Sequence, residues 1–307
     1  MASQSISPFQ AFLMVLLIIF WGSSFVVVKQ LLNVGLTPIA IATFRFLLAG
    51  VLFLVALAIK KRVSPTYRLS VERKDLLVLL ALALTGVTFF FTIQYTGIQL
   101  AGASIAAIMV CLLSPILITI FSVKLFGDKL RRKQYIGVAV AAAGTLLVVL
   151  ADLLNLEGSM TFLVGTLILL STPFLWAGYS LLGQKIMKKY DAFLVVAYVS
   201  LIGGACLIPF SLAEGSFMQL FTMNLGDWLS VLYLAFTCSL LGYYIWFYVL
   251  KKAGATASTF LFGEPLITAV FAVIFVSETL YPSVIVGAVL IFIGVFLVTF
   301  NNRKNQA

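Results

Sequence analysis

The chain has 307 residues, 63% of them hydrophobic and 10% charged, with a mean hydropathy of +1.16 and a net charge of +10. This composition excludes a soluble globular domain and places the chain among integral membrane proteins. It contains no histidine, which removes the commonest general base, proton shuttle and zinc ligand.

Apolar runs between polar breaks predict ten membrane-spanning helices over residues 9–32, 37–59, 75–96, 103–126, 132–150, 162–184, 192–213, 227–250, 253–277 and 282–300. They are numbered here as spans one to ten. The first nine residues carry no Lys or Arg and the first apolar run is long, so span one is expected to stay in the mature protein rather than act as a signal peptide. Trp21 lies about 18 Å into span one, too deep for an interfacial aromatic belt. Its neighbours Ser23 and Ser24 have hydroxyls to donate into a cavity, although small polar residues also let helices approach closely.

Span two carries Arg45, about 12 Å below one end of the helix. Phe91, Gln94 and Tyr95 in span three, Trp176 and Tyr179 in span six, and Tyr244 in span eight are candidates for an aromatic-lined pocket. Pro115 in span four and Pro265 in span nine each remove one hydrogen bond from a helix and tend to bend it; as a matched pair they are read as hinges. Pro173 in span six is read as a static kink. Cys111, Cys206 and Cys238 fall inside apolar runs without metal-ligand spacing and are read as small packing residues. Gly203 and Gly204 in span seven, Gly137 and Gly144 in span five, and Gly287 and Gly294 in span ten mark close helix contact, with a packing or dimer-like role for spans five and ten.

Span nine holds the second buried charge. The stretch FLFGEPLITAVFAVIFVSETL, from Phe260 to Leu280, covers most of it and sets Glu264 directly against Pro265, eleven residues in from Ala253. Counted along a continuous helix, Glu264 lies about 16 Å from the end of the span, a depth similar to that of Arg45. Two readings follow. Arg45 and Glu264 pair permanently and fix their helices, or one or both face a water-filled cavity and engage the carboxylate or ammonium of a polar solute, with Glu264 also able to take up a proton.

Of the 20 Lys and Arg, 18 fall on the side of the two termini, which predicts that both termini are cytoplasmic. Only Lys29 falls on the opposite side. The second half of the chain repeats the first. At an offset of 150, Pro115 falls on Pro265, Asp128 on Glu278, Gly137 on Gly287 and Gly144 on Gly294; at 155, Trp21 falls on Trp176. Five spans per copy is an odd number, so the copies run in opposite orientations, an architecture common among secondary transporters. The expected fold is an all-α membrane protein of ten helices in two inverted repeats, residues 1–155 and 156–307, forming one transport domain.

This pattern resembles the drug/metabolite transporter superfamily in its ten-helix form of two EamA-type repeats. The residues carrying the resemblance are Trp21-Gly22-Ser23-Ser24-Phe25, Arg45-Phe46, Ser114-Pro115 followed by Gly127-Asp128-Lys129-Leu130, and Gly263-Glu264-Pro265 followed by Ser277-Glu278-Thr279-Leu280. Asp128 stands where such proteins usually carry Glu. The resemblance implies a multi-pass plasma-membrane (bacterial inner-membrane) transporter exporting a small organic metabolite such as an amino acid. Hydrophobic or cationic drugs, or passive channel-like facilitation, are the alternatives. Without a His, a paired intramembrane Asp or a ligand cluster, the chain offers no catalytic residue, metal site or cofactor site. The expected partners are a small-molecule substrate and the lipid bilayer, not nucleic acid, with room for a homo-oligomer.

Overall fold

In the computed structural model, which describes residues 7–126, 132–150, 160–253 and 260–300, span one begins at Ser7. The Ser7 hydroxyl accepts the Gln10 N–H, the Gln10 side chain accepts the Ser7 N–H, and Pro8 opens the helix Pro8–Asn33. This reciprocal cap satisfies two amides that a helix start leaves open. Helix Pro38–Val63 starts likewise from Thr37 and ends on Lys60, Lys61 and Arg62, cations at the negative end of its dipole.

Six described stretches are long and apolar enough to cross a bilayer: Pro8–Asn33, Pro38–Val63, Arg73–Ala101, Met160–Gly183, Ala192–Ala213 and Leu225–Val249. Shorter apolar stretches, Ala103–Ile118, Phe260–Val276 and Pro282–Leu297, together with helix Arg132–Val149, account for the other four predicted spans. Asp128, matched above with Glu278, lies outside the described residues.

Several spans differ in detail from the expectation. Span three runs on to Ala101, five residues past its predicted end, and stops where Gly102 takes φ +97°. The Lys29 ammonium donates to the carbonyls of Ile98 and Gln99, at 3.3 and 3.2 Å. The one cation predicted on the opposite side therefore serves the negative end of span three. Span six is not a kinked rod but two helices, Met160–Leu169 and Thr172–Ile186, with Pro173 in the first turn of the second, where its missing N–H costs nothing. Span nine is also interrupted. Residues 260–263 form a tight 3₁₀ turn, and the regular helix is Glu264–Val276. Glu264 thus stands in the first turn of a helix, not in the middle of one, because Pro265 is tolerated at a start and disfavoured in an interior. That helix closes at Ser277 in the left-handed conformation (φ 54°). Glu278 then crosses to span four, its carboxylate accepting the N–H groups of Ala103 and Ser104 and the Ser104 hydroxyl.

Among the described residues, three spans contain a wide π turn: Leu84–Thr88 in span three, Ile108–Leu112 in span four and Leu234–Leu241 in span eight. Shifted by 152, the first falls inside the third, so the irregularity itself repeats between the halves.

Packing carries the same repeat. Span two lies along span seven and span five along span ten, each pair made of counterparts. Span one packs on spans eight and nine, while its counterpart, span six, packs on spans three and four. The glycines sit at the tightest approaches. A Cβ on Gly294 would lie 2.6 Å from the Gly137 carbonyl oxygen, and one on Gly144 would lie 2.6 Å from that of Gly287. The glycine faces of spans five and ten are thus used against each other within one chain, the packing role expected of them. Gly203 meets Val87 of span three, and Gly204 meets Phe46 of span two.

At the end of the bundle where Lys60 lies, a polar network ties the segment before span three to the segment before span seven. Lys60 pairs with Asp191 at 3.2 Å, and the Tyr67 hydroxyl donates to the same carboxylate at 2.8 Å. Lys189 reaches Glu72 at 2.7 Å and Asp75 at 2.6 Å. Hydrogen bonds from Lys189 and Lys74 hold the Glu72 carboxyl below its ordinary range. Burial pushes Asp191 up, but the donors Tyr67 and Lys60 prevail and hold it low. A carboxyl held low in the fold stabilises it above its unfolded pKa of about 4 and loses that effect as pH falls through the folded value. The melting temperature of the purified protein is therefore expected to drop between pH 5 and 3. Lys189→Ala should flatten that dependence; an unchanged slope would show that the network contributes nothing.

Candidate functional site

The two interior charges identified from sequence both lie in the interior, and they are not partners. Arg45 is 5% exposed and Glu264 7%. Among the described residues, ion pairs involve only Lys60, Lys74 and Lys189, near one end of the bundle. Arg45 donates from Nε to the Ser239 hydroxyl at 3.2 Å and from Nη1 to the Tyr95 hydroxyl at 2.6 Å. The ring of Phe91 lies 4.8 Å from the guanidinium carbon, a cation–π contact in a desolvated setting. Glu264 meets the Cys111 thiol of span four. Tyr243 and Cys238 of span eight lie within electrostatic range of both charges, so the two belong to one interior region without touching.

The π turn of span eight arranges this region. In a π turn the hydrogen bonds run one residue further than in an α-helix, which re-aims side chains and leaves carbonyls for other donors. The Ser239 hydroxyl donates to the Leu234 carbonyl five residues back and presents its oxygen to Arg45. The Cys238 carbonyl accepts the Trp21 indole N–H at 2.9 Å. Gly242 permits that approach, since a Cβ there would stand 2.6 Å from the indole nitrogen.

Span one divides its Trp-Gly-Ser-Ser motif among neighbours. Trp21 faces span eight, with Tyr243 and Trp246 rings at 5.8 and 6.1 Å. Gly22 lets the backbone of Glu264 come close, and the Thr268 hydroxyl hydrogen-bonds both the Gly22 and the Glu264 carbonyl. Ser23 bonds the Tyr233 hydroxyl and the Phe20 carbonyl, and Ser24 bonds the Trp21 carbonyl. Both serines spend their hydroxyls within the helix packing.

Phe91, Gln94 and Tyr95 are all buried, at 8%, 5% and 1% exposure. Tyr179 is buried too, its ring 5.3 Å from that of Trp176, which in turn lies 5.3 Å from Phe90. Gly86, in the π turn of span three, makes room for the Tyr179 ring. Tyr244 stands apart: it is 57% exposed, on the outer face beside Phe193 and Tyr248. Its neighbour Tyr243 is the one turned inward, because one residue is about 100° on a helix and the π turn just before it shifts the phase.

Pro115 stands in the first turn of helix Leu113–Phe126, three residues past the end of the π turn Ile108–Leu112. Pro265 follows the 3₁₀ turn of span nine. The matched prolines therefore both sit at an irregular turn, though of different kinds.

Sequence reading missed Ser239, Tyr243, Tyr233 and the two inner cysteines. Cys111 is a partner of Glu264, and the Cys238 thiol donates to the Phe20 carbonyl at 3.1 Å, so neither is only a packing residue. Among the described residues, no group of three His, Cys, Asp or Glu side chains is placed to hold a metal ion.

The EamA-like transporter family matches residues 8–150 and again 163–300. An uncharacterized transporter of Archaeoglobus fulgidus is 30% identical over 95% of this chain and 98% of its own length. Proteins named probable amino-acid metabolite efflux pumps in Salmonella typhimurium and Escherichia coli are each 28% identical over 96% of both chains. A solved crystal structure, 18% identical, superposes with a TM-score of 0.63 over 96% of this chain and 98% of that one, a likeness of fold alone. With two copies of the family's domain filling a multi-pass helical bundle, the chain belongs to the EamA-like transporter family and is a transporter rather than an enzyme.

Proposed function

We propose that the chain is a secondary transporter that exports a small organic metabolite, such as an amino acid, across the plasma membrane by alternating access around a central cavity. The observation that carries this is the pair of buried, mutually unpaired charges, Arg45 from the first half and Glu264 from the second. A fixture would be expected to neutralise each charge with the other, whereas a solute site keeps them available. Trp21, Ser23, Ser24, Phe91, Gln94, Tyr95, Trp176 and Tyr179 surround or support this region.

Repeats 1–155 and 156–307, each of five spans, run in opposite orientations in this reading, with both termini cytoplasmic because the basic residues gather on that side. Pro115 and Pro265, each beside an irregular turn, are the places where spans four and nine bend as the cavity changes sides. The names of the Salmonella typhimurium and Escherichia coli relatives support outward movement of amino-acid metabolites. A site holding one buried charge of each sign suits a zwitterion better than a drug that carries positive charge alone.

Bacterial cells expressing the chain and loaded with dipeptides should release the liberated amino acids several-fold faster than cells with an empty vector. Equal release across all amino acids tested would sink the reading.

A further inference from the structure

Arg45 has five N–H donors, and the structure accounts for two of them, on the Ser239 and Tyr95 hydroxyls. Both acceptors are neutral. Nη2 makes no hydrogen bond among the described residues, and no carboxylate lies within ion-pair distance. The Phe46 and Phe91 rings lie 5.2 and 4.8 Å from the guanidinium carbon, and with Nε and one Nη1 hydrogen spent the unused donors lie along the Nη edge, the edge that matches a carboxylate with two parallel hydrogen bonds.

Two further side chains are buried with their polar groups unspent. Gln94 is 5% exposed and Tyr179 7%, and neither makes a hydrogen bond among the described residues. A buried amide without a partner is rare enough to demand an occupant. On helix Phe89–Ala101, Gln94 lies one turn beyond Phe90 and Phe91 and between them in direction, at about 100° per residue. Phe91 faces Arg45, and Phe90 faces Trp176, which touches Tyr179. Gln94 therefore points into the sector between the guanidinium and the Trp176–Tyr179 pair.

We propose that Arg45 and Gln94 form a carboxylate subsite, in which the Nη edge of Arg45 holds the two oxygens of a monocarboxylate solute and the Gln94 amide orients the group. This rests on the transport reading above and names the solute group that the site selects. A monoanion suits a single cation: Arg45 is the one buried cationic side chain among the described residues, and a phosphate dianion would remain half uncompensated. Ser239 and Tyr95 hold the guanidinium in place and are positioning residues.

The test uses the purified full-length protein, titrated with the twenty common L-amino acids and short monocarboxylates, each beside the matched amine that lacks the carboxylate. Binding is read by intrinsic fluorescence and by the shift in melting temperature. At least one carboxylate should bind tenfold or more tightly than its amine. Arg45→Lys keeps the charge but loses the planar fork, and should weaken that carboxylate at least tenfold.

Gln94→Leu decides the matter even if the arginine variant fails to fold. Removing an unpartnered buried amide should leave the melting temperature at or above the wild-type value while weakening the carboxylate at least tenfold. Unchanged affinity in Gln94→Leu, amines binding as well as carboxylates, or no carboxylate binding at all would each overturn the subsite. Carboxylate binding without flux in proteoliposomes supports the subsite and overturns the transport reading. Flux of amines alone does the reverse.

Discussion

Exchanging Glu264 for glutamine is expected to lower solute flux at least tenfold while wild-type amounts of folded protein remain in the membrane. The side chains are nearly isosteric, so a glutamine fits beside Cys111 much as the glutamate does. Because no cation pairs with Glu264 among the described residues, removing its charge orphans nothing. Breaking a buried ion pair from one side would instead cost about 3–5 kcal/mol of stability. The expected loss therefore falls on function, where a tenfold effect corresponds to about 1.4 kcal/mol of interaction with the moving solute. Flux in reconstituted vesicles and the yield of monodisperse protein, measured on the same preparation, separate the two. Normal flux would remove Glu264 from the site; collapse of the protein would make it a fixture.

Gly294→Leu should have the largest effect on folding. Spans five and ten meet backbone to backbone: a Cβ at 294 would stand 2.6 Å from the Gly137 oxygen and 2.7 Å from the Ala141 nitrogen. Such atoms cannot swing aside as the end of a side chain can, so the helices must part along their whole seam. Overpacking a core usually costs about 1–3 kcal/mol, and a leucine against fixed backbone exceeds that range. Folded protein recovered from detergent should fall more than tenfold, and Gly144→Leu should do the same from the other side of the seam. Gly215→Leu is no control, because Gly215 takes φ +75°. Gly178→Leu is a control, since nothing lies within 4 Å of a Cβ there. Equal yields of Gly178→Leu and Gly294→Leu would show that the seam tolerates separation.

Hydropathy revealed a multi-pass helical protein, six of whose described stretches are long and apolar enough to cross a bilayer, and the series of Pro, acid and two Gly in one register pointed to the two family repeats. Arg45 and Glu264 were visible because a charge within an apolar run is conspicuous whatever surrounds it. What lay beyond reach has a common physical cause. A membrane helix is apolar on its lipid side as well as its packed side, so periodicity carries little news of which face points inward. The sequence therefore points to Tyr244 and passes over Tyr243, and the π turn at Leu234–Leu241 reverses the two. That turn is fixed by partners more than two hundred residues away in the chain, the Trp21 indole on Cys238 among them. Local sequence has no way to record such a partner. The prolines were legible as disturbances but not in kind: Pro173 and Pro265 begin helices, whereas Pro115 stands just inside one. Cys111 looked inert because its partner, Glu264, comes from the other half.

The central claim is that the interior charges serve a solute that the protein carries by exposing one site alternately to each side. Counterflow tests it most directly. Proteoliposomes loaded with an unlabelled amino acid, and diluted into a trace of the labelled one, should accumulate label transiently above its equilibrium level, with an initial rate that saturates. A proton gradient imposed in parallel shows whether Glu264 also couples transport to protons. Label that merely equilibrates, at a rate rising linearly with concentration, would contradict alternating access and make the protein a passive pore.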